Sequence, residues 1–360
     1  MKQFILRLYS SFFIRIGLAI AISLVSLYLA LRNISLQEVG ESLKQANYWY
    51  VALALVSVGI NTLAKTSRWM VLMKPRRQHL NYYQVLKSLL IGQSLNNLYP
   101  GRVGDLSRAY VVGSQGPGRT FVLGTLGIEK IVEMFSYAVL FVILLLLIPL
   151  PDWVSSSGYT FAIIAVFVTI AVMLVTYQRG LVIRILERVS GRFPERLQTY
   201  SKPRLRAGID SLEVLQNNTD LLKLGLWSAI VWGTALLNNH LALLALNIHL
   251  PLTASLLVLI ALQAGISIPS VPGRFGIFEY ICVLALGVYG IDQATAFSYG
   301  ILLHAIVMLP TTLLGLLFFA SSGLSREDIS VRAPSPVDVT ENIPNSTRSS
   351  SNTGEQSEGN

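Results

Sequence analysis

Long apolar runs dominate this chain and restrict it to a helical membrane fold. Crossing about 30 Å of hydrocarbon takes roughly 20 mostly apolar residues in one helix. Candidate spans lie at 16–31, 49–67, 121–150, 159–177, 221–246 and 297–320. In this sequence 13% of the residues are charged, against about 25% in a soluble domain. The sequence therefore predicts an all-α integral membrane protein with about six full spans.

Two other apolar stretches, 82–99 and 252–290, do not fit a single crossing because polar residues, prolines and glycines interrupt them. Positive charge indicates where they begin, since Lys and Arg collect in cytoplasmic loops. Residues 65–87 hold six cations, whereas 151–158 and 247–251 hold none. This distribution places the first loop in the cytoplasm and the other two outside.

These sides determine how each interrupted stretch must run. The span 121–150 ends outside and so begins inside, which means that 82–120 begins and ends in the cytoplasm. By the same count 252–290 begins and ends outside. Each stretch either dips into the membrane and returns or contains an even number of crossings. Both chain termini are expected in the cytoplasm.

The two interruptions share a motif. The first is Pro-Gly-Arg-Val-Gly-Asp at 100–105, and the second is Pro-Gly-Arg-Phe-Gly at 272–276, with Glu279 soon after. One interpretation is an inverted repeat whose two broken helices line a transporter substrate site, because irregular backbone at membrane depth must be buried or line a polar cavity. The other interpretation is chance recurrence of common loop residues.

The motif supplies groups that favour an anion. Arginine binds phosphate through paired hydrogen bonds, and glycine lets backbone N–H groups at a helix N-terminus approach it. The predicted substrate-binding residues here are Gly101, Arg102, Gly104, Arg108, Gly273, Arg274 and Gly276. The alternative for the arginines, above all for Arg108, is anchoring at the membrane surface.

Carboxylates inside apolar segments need a partner or a function. Glu129 and Glu133 are four residues apart and share a helix face, with Lys130 between them. We expect Arg102 or Arg108 to pair with them, unless these three residues lie at the cytoplasmic interface. Asp105 is a further counter-ion. Glu279 is open to three interpretations: a proton-coupling carboxylate, a counter-ion to Arg274, or an acid at a helix N-terminus.

Other polar residues carry weaker signals. Asn238, Asn239, His240 and His304 either form interhelical hydrogen bonds or contact substrate, and Asn239 and His240 are retained as substrate-binding candidates. The loop 178–220 holds eight cations and is either a helix on anionic lipid or a solvated helix. The membrane domain is expected over 1–325, followed by a disordered cytoplasmic tail over 326–360.

Several function classes find no support in the sequence. Cys282 is the single cysteine, so we expect no intrachain disulfide and no cysteine metal site. Common enzyme motifs such as H-E-x-x-H, G-x-S-x-G and the Walker loop are absent, and no cofactor or metal is expected. The formal charge of +9 is explained by the cytoplasmic loops, so no nucleic-acid partner is expected.

The segments "NNLYPGRVGDLSRAY", "GIEKIVEMF" and "PSVPGRFGIFEY" resemble the transmembrane region of bacterial lysylphosphatidylglycerol synthases over about residues 10–322. By this resemblance Arg102, Asp105 and Arg108 match one family element, Glu129, Lys130 and Glu133 a second, and Pro272, Gly273, Gly276 and Glu279 a third. Arg274 stands where the family often has glycine, and Asp105 where glutamate is usual.

The resemblance implies a flippase-like module in the inner membrane that moves an anionic or modified phospholipid, or a polyprenyl-phosphate lipid, between leaflets. Expected partners are the lipid head group and either a second copy or a lipid-modifying enzyme. Since the sequence ends at 360 without a soluble aminoacyl-transferase domain, synthesis of lysyl-lipid is not expected. The alternatives are a membrane-embedded transferase using Glu279 or Glu133 as base, or a non-transporting partner of an enzyme.

Overall fold

The computed structural model describes residues 2–32, 34–76, 80–99, 103–148, 206–265 and 271–322 and scattered positions between 163 and 188, with side chains from Gly17 onward. In this part of the chain the helices are α1 (Lys2–Leu31), α2 (Leu36–Lys44), α3 (Tyr48–Leu72), α4 (Tyr82–Leu98), α5 (Val103–Gly113), α6 (Arg119–Leu147), α7 (Asn218–Ala245), α8 (Leu252–Gly265), α9 (Ile277–Gly287) and α10 (Gln293–Ala320). Short 3-10 helices lie at Lys74–Arg76, Ser211–Gln216 and Pro272–Arg274. The predicted helical membrane fold is confirmed.

Among the helices that the structure describes, α3, α6, α7 and α10 are long and apolar enough to cross a membrane. A fifth candidate joins α1 from Gly17 to α2 across a bend of 79°. Of the predicted span over 159–177 the structure describes residues 163, 164, 166–172 and 174, and most of the basic loop 178–220 and the whole tail 326–360 lie outside the described residues. The predicted count of six spans therefore stays a prediction.

The helices α3 and α7 form the antiparallel centre of the bundle. At one end the Asn47 backbone N–H, just before α3, donates to the Ala245 carbonyl at the end of α7 over 2.7 Å. At the other end Lys74, just after α3, pairs with Asp220 near the start of α7 at 2.6 Å. Between them Asn61 Nδ2 donates to the Val231 carbonyl over 2.7 Å, a bond typical of interhelical contacts in membranes.

The first interrupted stretch is a helical hairpin. The helix α4 begins at the end of the bundle where Lys74–Arg76 lies, and the chain is at the same end again after α5. The evidence is that Arg76 Nη1 donates to the Pro117 carbonyl over 3.4 Å. The two helices approach very closely: a Cβ added to Gly104 would overlap the Gly92 carbonyl oxygen. The pair α4–α5 therefore returns to its starting end, as the charge distribution predicts.

The second interrupted stretch is a hairpin that begins at the opposite end. The helix α8 starts where α7 ends, and after α9 the Tyr289 hydroxyl meets Thr253 Oγ1 at 3.2 Å, close to the start of α8. The chain has again returned to its starting end. Because α7 is antiparallel to α3, the two hairpins enter the bundle from opposite ends. Their entry from opposite sides of the membrane stays a prediction.

The two halves of the chain follow one plan. Pro100 and Pro272 lie 172 residues apart, and shifting α3 by 172 residues gives 220–244, beside the observed Asn218–Ala245 of α7. The same shift carries α6 to 291–319, beside the observed Gln293–Ala320 of α10. The repeat is thus α3–α6 followed by α7–α10, with α4 packed on α10 and α8 packed on α6.

We predict that cysteines flanking the first hairpin face the same compartment. Asn81 and Gln115 are exposed on either side of α4–α5, His249 is exposed between α7 and α8, and the native Cys282 is buried. An impermeant maleimide should label Asn81→Cys and Gln115→Cys from the cytoplasmic side and His249→Cys from outside. Labelling of Asn81→Cys and Gln115→Cys from opposite sides would mean that α4–α5 crosses the membrane.

Candidate functional site

Glu129 lies at the centre of a buried group of charges. It projects from α6 with a relative exposure of 3%. Its Oε1 accepts from Arg68 Nη2 of α3 at 3.3 Å, and its Oε2 accepts from Arg108 Nη2 of α5 at 2.9 Å. One carboxylate therefore connects three helices of the first repeat. The expected pairing with Arg108 is observed, and the pairing with Arg68 is new.

Arg68 also joins the second carboxylate of the same helix face. Its Nη2 donates to Glu133 Oε1 at 2.9 Å, while Glu133 Oε2 accepts from Lys130 Nζ at 2.9 Å. Arg68 is 0% exposed, whereas the Lys130 side chain is 43% exposed. We call Arg68, Arg108, Glu129, Lys130 and Glu133 the charge cluster; Asp105 lies at its edge, 3.8 Å from Arg108.

Small and aromatic residues make room for Arg108. Its guanidinium carbon lies 4.0 Å from the centre of the Trp69 ring, and the Trp69 indole N–H donates to Thr125 Oγ1 at 3.2 Å. On the other side a Cβ at Gly92 would come within 2.6 Å of Arg108 Cγ. Gly92 is therefore required for the arginine to pass α4, and the stacking on Trp69 adds a cation–π contact.

Three buried donors of the charge cluster have no acceptor among the residues that the structure describes. They are Arg68 Nε, Arg68 Nη1 and Arg108 Nε. Leaving a buried donor unsatisfied costs roughly 1–3 kcal/mol, and more when the group is charged. Arg68 and Arg108 thus retain hydrogen-bonding capacity for an oxyanion.

The second repeat contains a smaller polar pair. Glu279 of α9 and His304 of α10 are buried, and His304 Nδ1 lies 2.7 Å from Glu279 Oε1. The other carboxylate oxygen of Glu279 accepts from the Gly276 backbone N–H at 2.7 Å. Glu279 thus makes the hydrogen bond expected of an acid at a helix N-terminus, and the histidine partner adds a contact to the following long helix.

The glycines of the second motif adopt conformations that side chains disfavour. Gly273 has φ of 75° and Gly276 has φ of 87°, in the left-handed region. Arg274 between them also has a positive φ of 58°, an uncommon backbone conformation for a residue other than glycine. A Cβ at Gly276 would come within 2.5 Å of the Ser23 carbonyl of α1, so the turn is held tightly against the first helix.

The second motif and the end of α4 contact neighbouring turns of α10. A Cβ at Gly273 would lie 3.1 Å from Met308 Cε, and Asn97 near the end of α4 donates to Thr312 Oγ1 at 2.9 Å. Met308 and Thr312 are about one helical turn apart, with Pro310 between them inside the helix. Proline removes a backbone hydrogen bond, so the end of α4 and the second motif both lie near an irregular turn of α10. We call this region the junction.

The remaining predicted site residues have structural partners. The Gly104 N–H donates to Asn96 Oδ1 at 2.8 Å, Asn239 Oδ1 accepts from the Tyr299 hydroxyl at 3.2 Å, and His240 Nδ1 lies 3.1 Å from Ser255 Oγ. The last two contacts are the interhelical alternative. Gly101 and Arg102 lie outside the described residues.

The structure thus divides the predicted residues into two groups. The charge cluster contains Arg108, Glu129 and Glu133, with Asp105 at its edge. The second motif contains Gly273, Arg274 and Gly276, and Glu279 follows three residues later. Arg68 was missed because the predicted span ended at residue 67, which placed it in a basic loop. The signal for it was an arginine three residues after Lys65, directly before the apolar "WMVL" that continues the helix to Leu72.

Comparison with known proteins agrees with the fold. The sequence model of the family described as "Lysylphosphatidylglycerol synthase TM region" matches residues 16–315. The chain belongs to this family. It is 24% identical over 290 residues to a UPF0104 membrane protein of Pyrococcus horikoshii, covering 75% of this chain and 86% of that protein. A UPF0104 membrane protein of Methanothermobacter thermautotrophicus is 21% identical over 297 residues, covering 78% and 87%.

We predict that the charge cluster stabilises this lysylphosphatidylglycerol synthase TM-region protein. Arg68→Met should lower the free energy of unfolding by about 3–5 kcal/mol, because it leaves Glu129 and Glu133 short of a buried cation. Arg119→Met is the matched control, because Arg119 is exposed and its guanidinium carbon lies 4.3 Å from the centre of the Tyr110 ring. This variant should lose little unfolding free energy. Denaturant titration in mixed micelles measures both, and equal midpoints would contradict the prediction.

Proposed function

We propose that this family member moves a lipid with an anionic head group between the two leaflets of a cell membrane. The observation that carries the proposal is the junction, where hairpins from opposite ends of the bundle meet beside Pro310 of α10. Broken helices in corresponding positions of an inverted repeat are typical of transporter substrate sites. The lipid classes we have in mind are anionic or modified phospholipids and polyprenyl-phosphate lipids.

The physical basis is the cost of irregular backbone in a membrane. In hydrocarbon every unsatisfied backbone group is costly, so helices break only where protein or a polar cavity surrounds them. A junction reached by one hairpin from each end offers a related site to each leaflet. Rocking of one repeat against the other would then expose it alternately, as in alternating access.

The head-group phosphate is assigned to arginine. Arg274 lies in the second motif and Arg102 occupies the matching position of the first, and arginine binds phosphate through two parallel hydrogen bonds. Arg108 is held by Glu129 at 2.9 Å. Its role would be to exchange that carboxylate for phosphate during transport, and Glu129 and Glu133 would balance the arginines when no lipid is bound.

The geometry favours transport over the transferase alternative. A general base needs a carboxylate that can reach the substrate proton. Both oxygens of Glu133 accept from cations, Arg68 and Lys130, so this base is occupied by ionic partners. Glu279 accepts from the Gly276 N–H and contacts His304 Nδ1, so it is held at the turn.

The test is lipid exchange in proteoliposomes. Purified full-length protein should accelerate the flipping of fluorescent phosphatidylglycerol, measured by dithionite quenching, above the rate in protein-free vesicles. Arg102→Ala and Arg274→Ala should each slow exchange about 10- to 100-fold, as expected for one lost hydrogen-bonded charge contact. Arg119→Ala, whose side chain lies on the bundle surface, is the matched control.

Two outcomes would contradict the proposal. One is exchange no faster than in protein-free vesicles, and the other is exchange that survives Arg102→Ala and Arg274→Ala unchanged. Formation of a new lipid product from a donor lipid would instead favour the transferase.

A further inference from the structure

Glu279 and His304 are two ionisable residues that join α9 to α10. The pair is buried, with side-chain exposures of 7% and 8%, and its two atoms lie 2.7 Å apart. A carboxylate and an imidazole in direct contact share their protons, which then belong to the pair and not to either residue. Ionisable residues inside a membrane bundle commonly serve as proton relays.

Aromatic rings lie beside the histidine of the pair. The Phe278 ring stacks on the His304 ring at 4.3 Å, and the Phe275 ring lies 5.1 Å away. The other titratable or charged side chains on the elements packed around the pair are Arg274 at the turn, Tyr28 on α1, Glu38, Glu41 and Lys44 on α2, Tyr48, Tyr50, Lys65 and Arg68 on α3, Tyr82, Tyr83 and Lys87 on α4, Asp220, Lys223 and His240 on α7, Tyr280 and Cys282 on α9, and Tyr299 on α10. The helix α2 packs against Phe297, which lies about two helical turns before His304 on α10.

Comparison of the two repeats shows what is special about this pair. In each repeat one polar pair ties the second hairpin helix to the long helix after it: Arg108 to Glu129 in the first, and Glu279 to His304 in the second. Arginine does not release its proton in proteins, whereas histidine does. The arginine of the first pair therefore keeps its charge, whereas the histidine of the second pair can gain or lose a proton.

We propose that the Glu279–His304 pair carries a proton that crosses the membrane together with the anionic lipid. This rests on the proposed lipid translocation. The proton enters the pair from the more acidic compartment and leaves it to the more alkaline one. With a monoanionic head group one proton per lipid makes the step electroneutral, so no other charge has to move.

Electrostatics links the two events. Gly276, whose N–H donates to Glu279, closes the same turn that contains Arg274, so an anion bound at this turn lies close to the pair. Negative charge there favours the protonated pair, and the protonated pair favours the anion, because such coupling between two sites is reciprocal. Loss of the proton would also weaken the link between α9 and α10, which releases the hairpin.

The experiment uses full-length protein in vesicles that carry a trace of fluorescent phosphatidylglycerol and an imposed pH gradient. The label should accumulate in the leaflet that faces the alkaline compartment, by about tenfold per pH unit, the ratio expected for one proton per lipid. A protonophore together with a permeant ion should abolish this asymmetry. A pH-sensitive dye inside the vesicles should report proton movement when the lipid moves.

Variants connect the effect to the pair. Glu279→Gln and His304→Gln should each bring the leaflet ratio to about one under the same gradient. This ratio is an equilibrium quantity, so a slower variant still reports it. His249→Gln, an exposed histidine between α7 and α8, is the matched control and should keep the ratio of the unmodified protein.

The outcomes separate the two proposals. If the unmodified protein exchanges lipid at equal pH but shows no asymmetry in the gradient, proton coupling is wrong and lipid translocation stands. If Glu279→Gln and His304→Gln keep the full asymmetry, the pair is not the proton carrier. If no exchange occurs at all, both proposals fail together.

Discussion

The bridge from Glu129 to two arginines holds the first half of this protein together. Arg68 and Arg108 each take one oxygen of the carboxylate, at 3.3 and 2.9 Å, which fixes α3, α5 and α6 relative to one another. A buried pair contributes modestly compared with an apolar contact of the same size, but removal of one partner is costly because the other charge stays buried. The hairpin α4–α5 can therefore leave its place only if the arginine finds another anion.

This constraint connects the fold to the proposed transport. The first hairpin is held by a pair that cannot lose its charge, and the second by Glu279 and His304, a pair that can. Both hairpins reach α10 near Pro310, where Asn97 contacts Thr312 and Gly273 lies against Met308. A lipid phosphate at this level would compete with Glu129 for arginine on one side and change the charge beside His304 on the other.

Much of the architecture was predictable because hydrophobic length and cation distribution are strong signals in membranes. Both hairpins and their opposite directions follow from them. The two carboxylates on one face of α6 predicted a partner among Arg102 and Arg108, and the structure shows Arg108. Arg68 was not predictable, since a charge count treats an arginine near the end of a span as a loop residue, and only packing shows that it turns inward. His304 was recognised as polar, but its pairing with Glu279 depends on how α9 packs against α10, 25 residues further along the chain.

The most direct measurement is a structure of the protein in nanodiscs containing phosphatidylglycerol. The account predicts a lipid head group at the junction, with its phosphate within hydrogen-bonding distance of Arg274 or Arg102 and close to Thr312. The account would be contradicted if lipid were confined to the outer perimeter of the bundle and protein side chains alone filled the space between Asn97, Gly273 and Thr312.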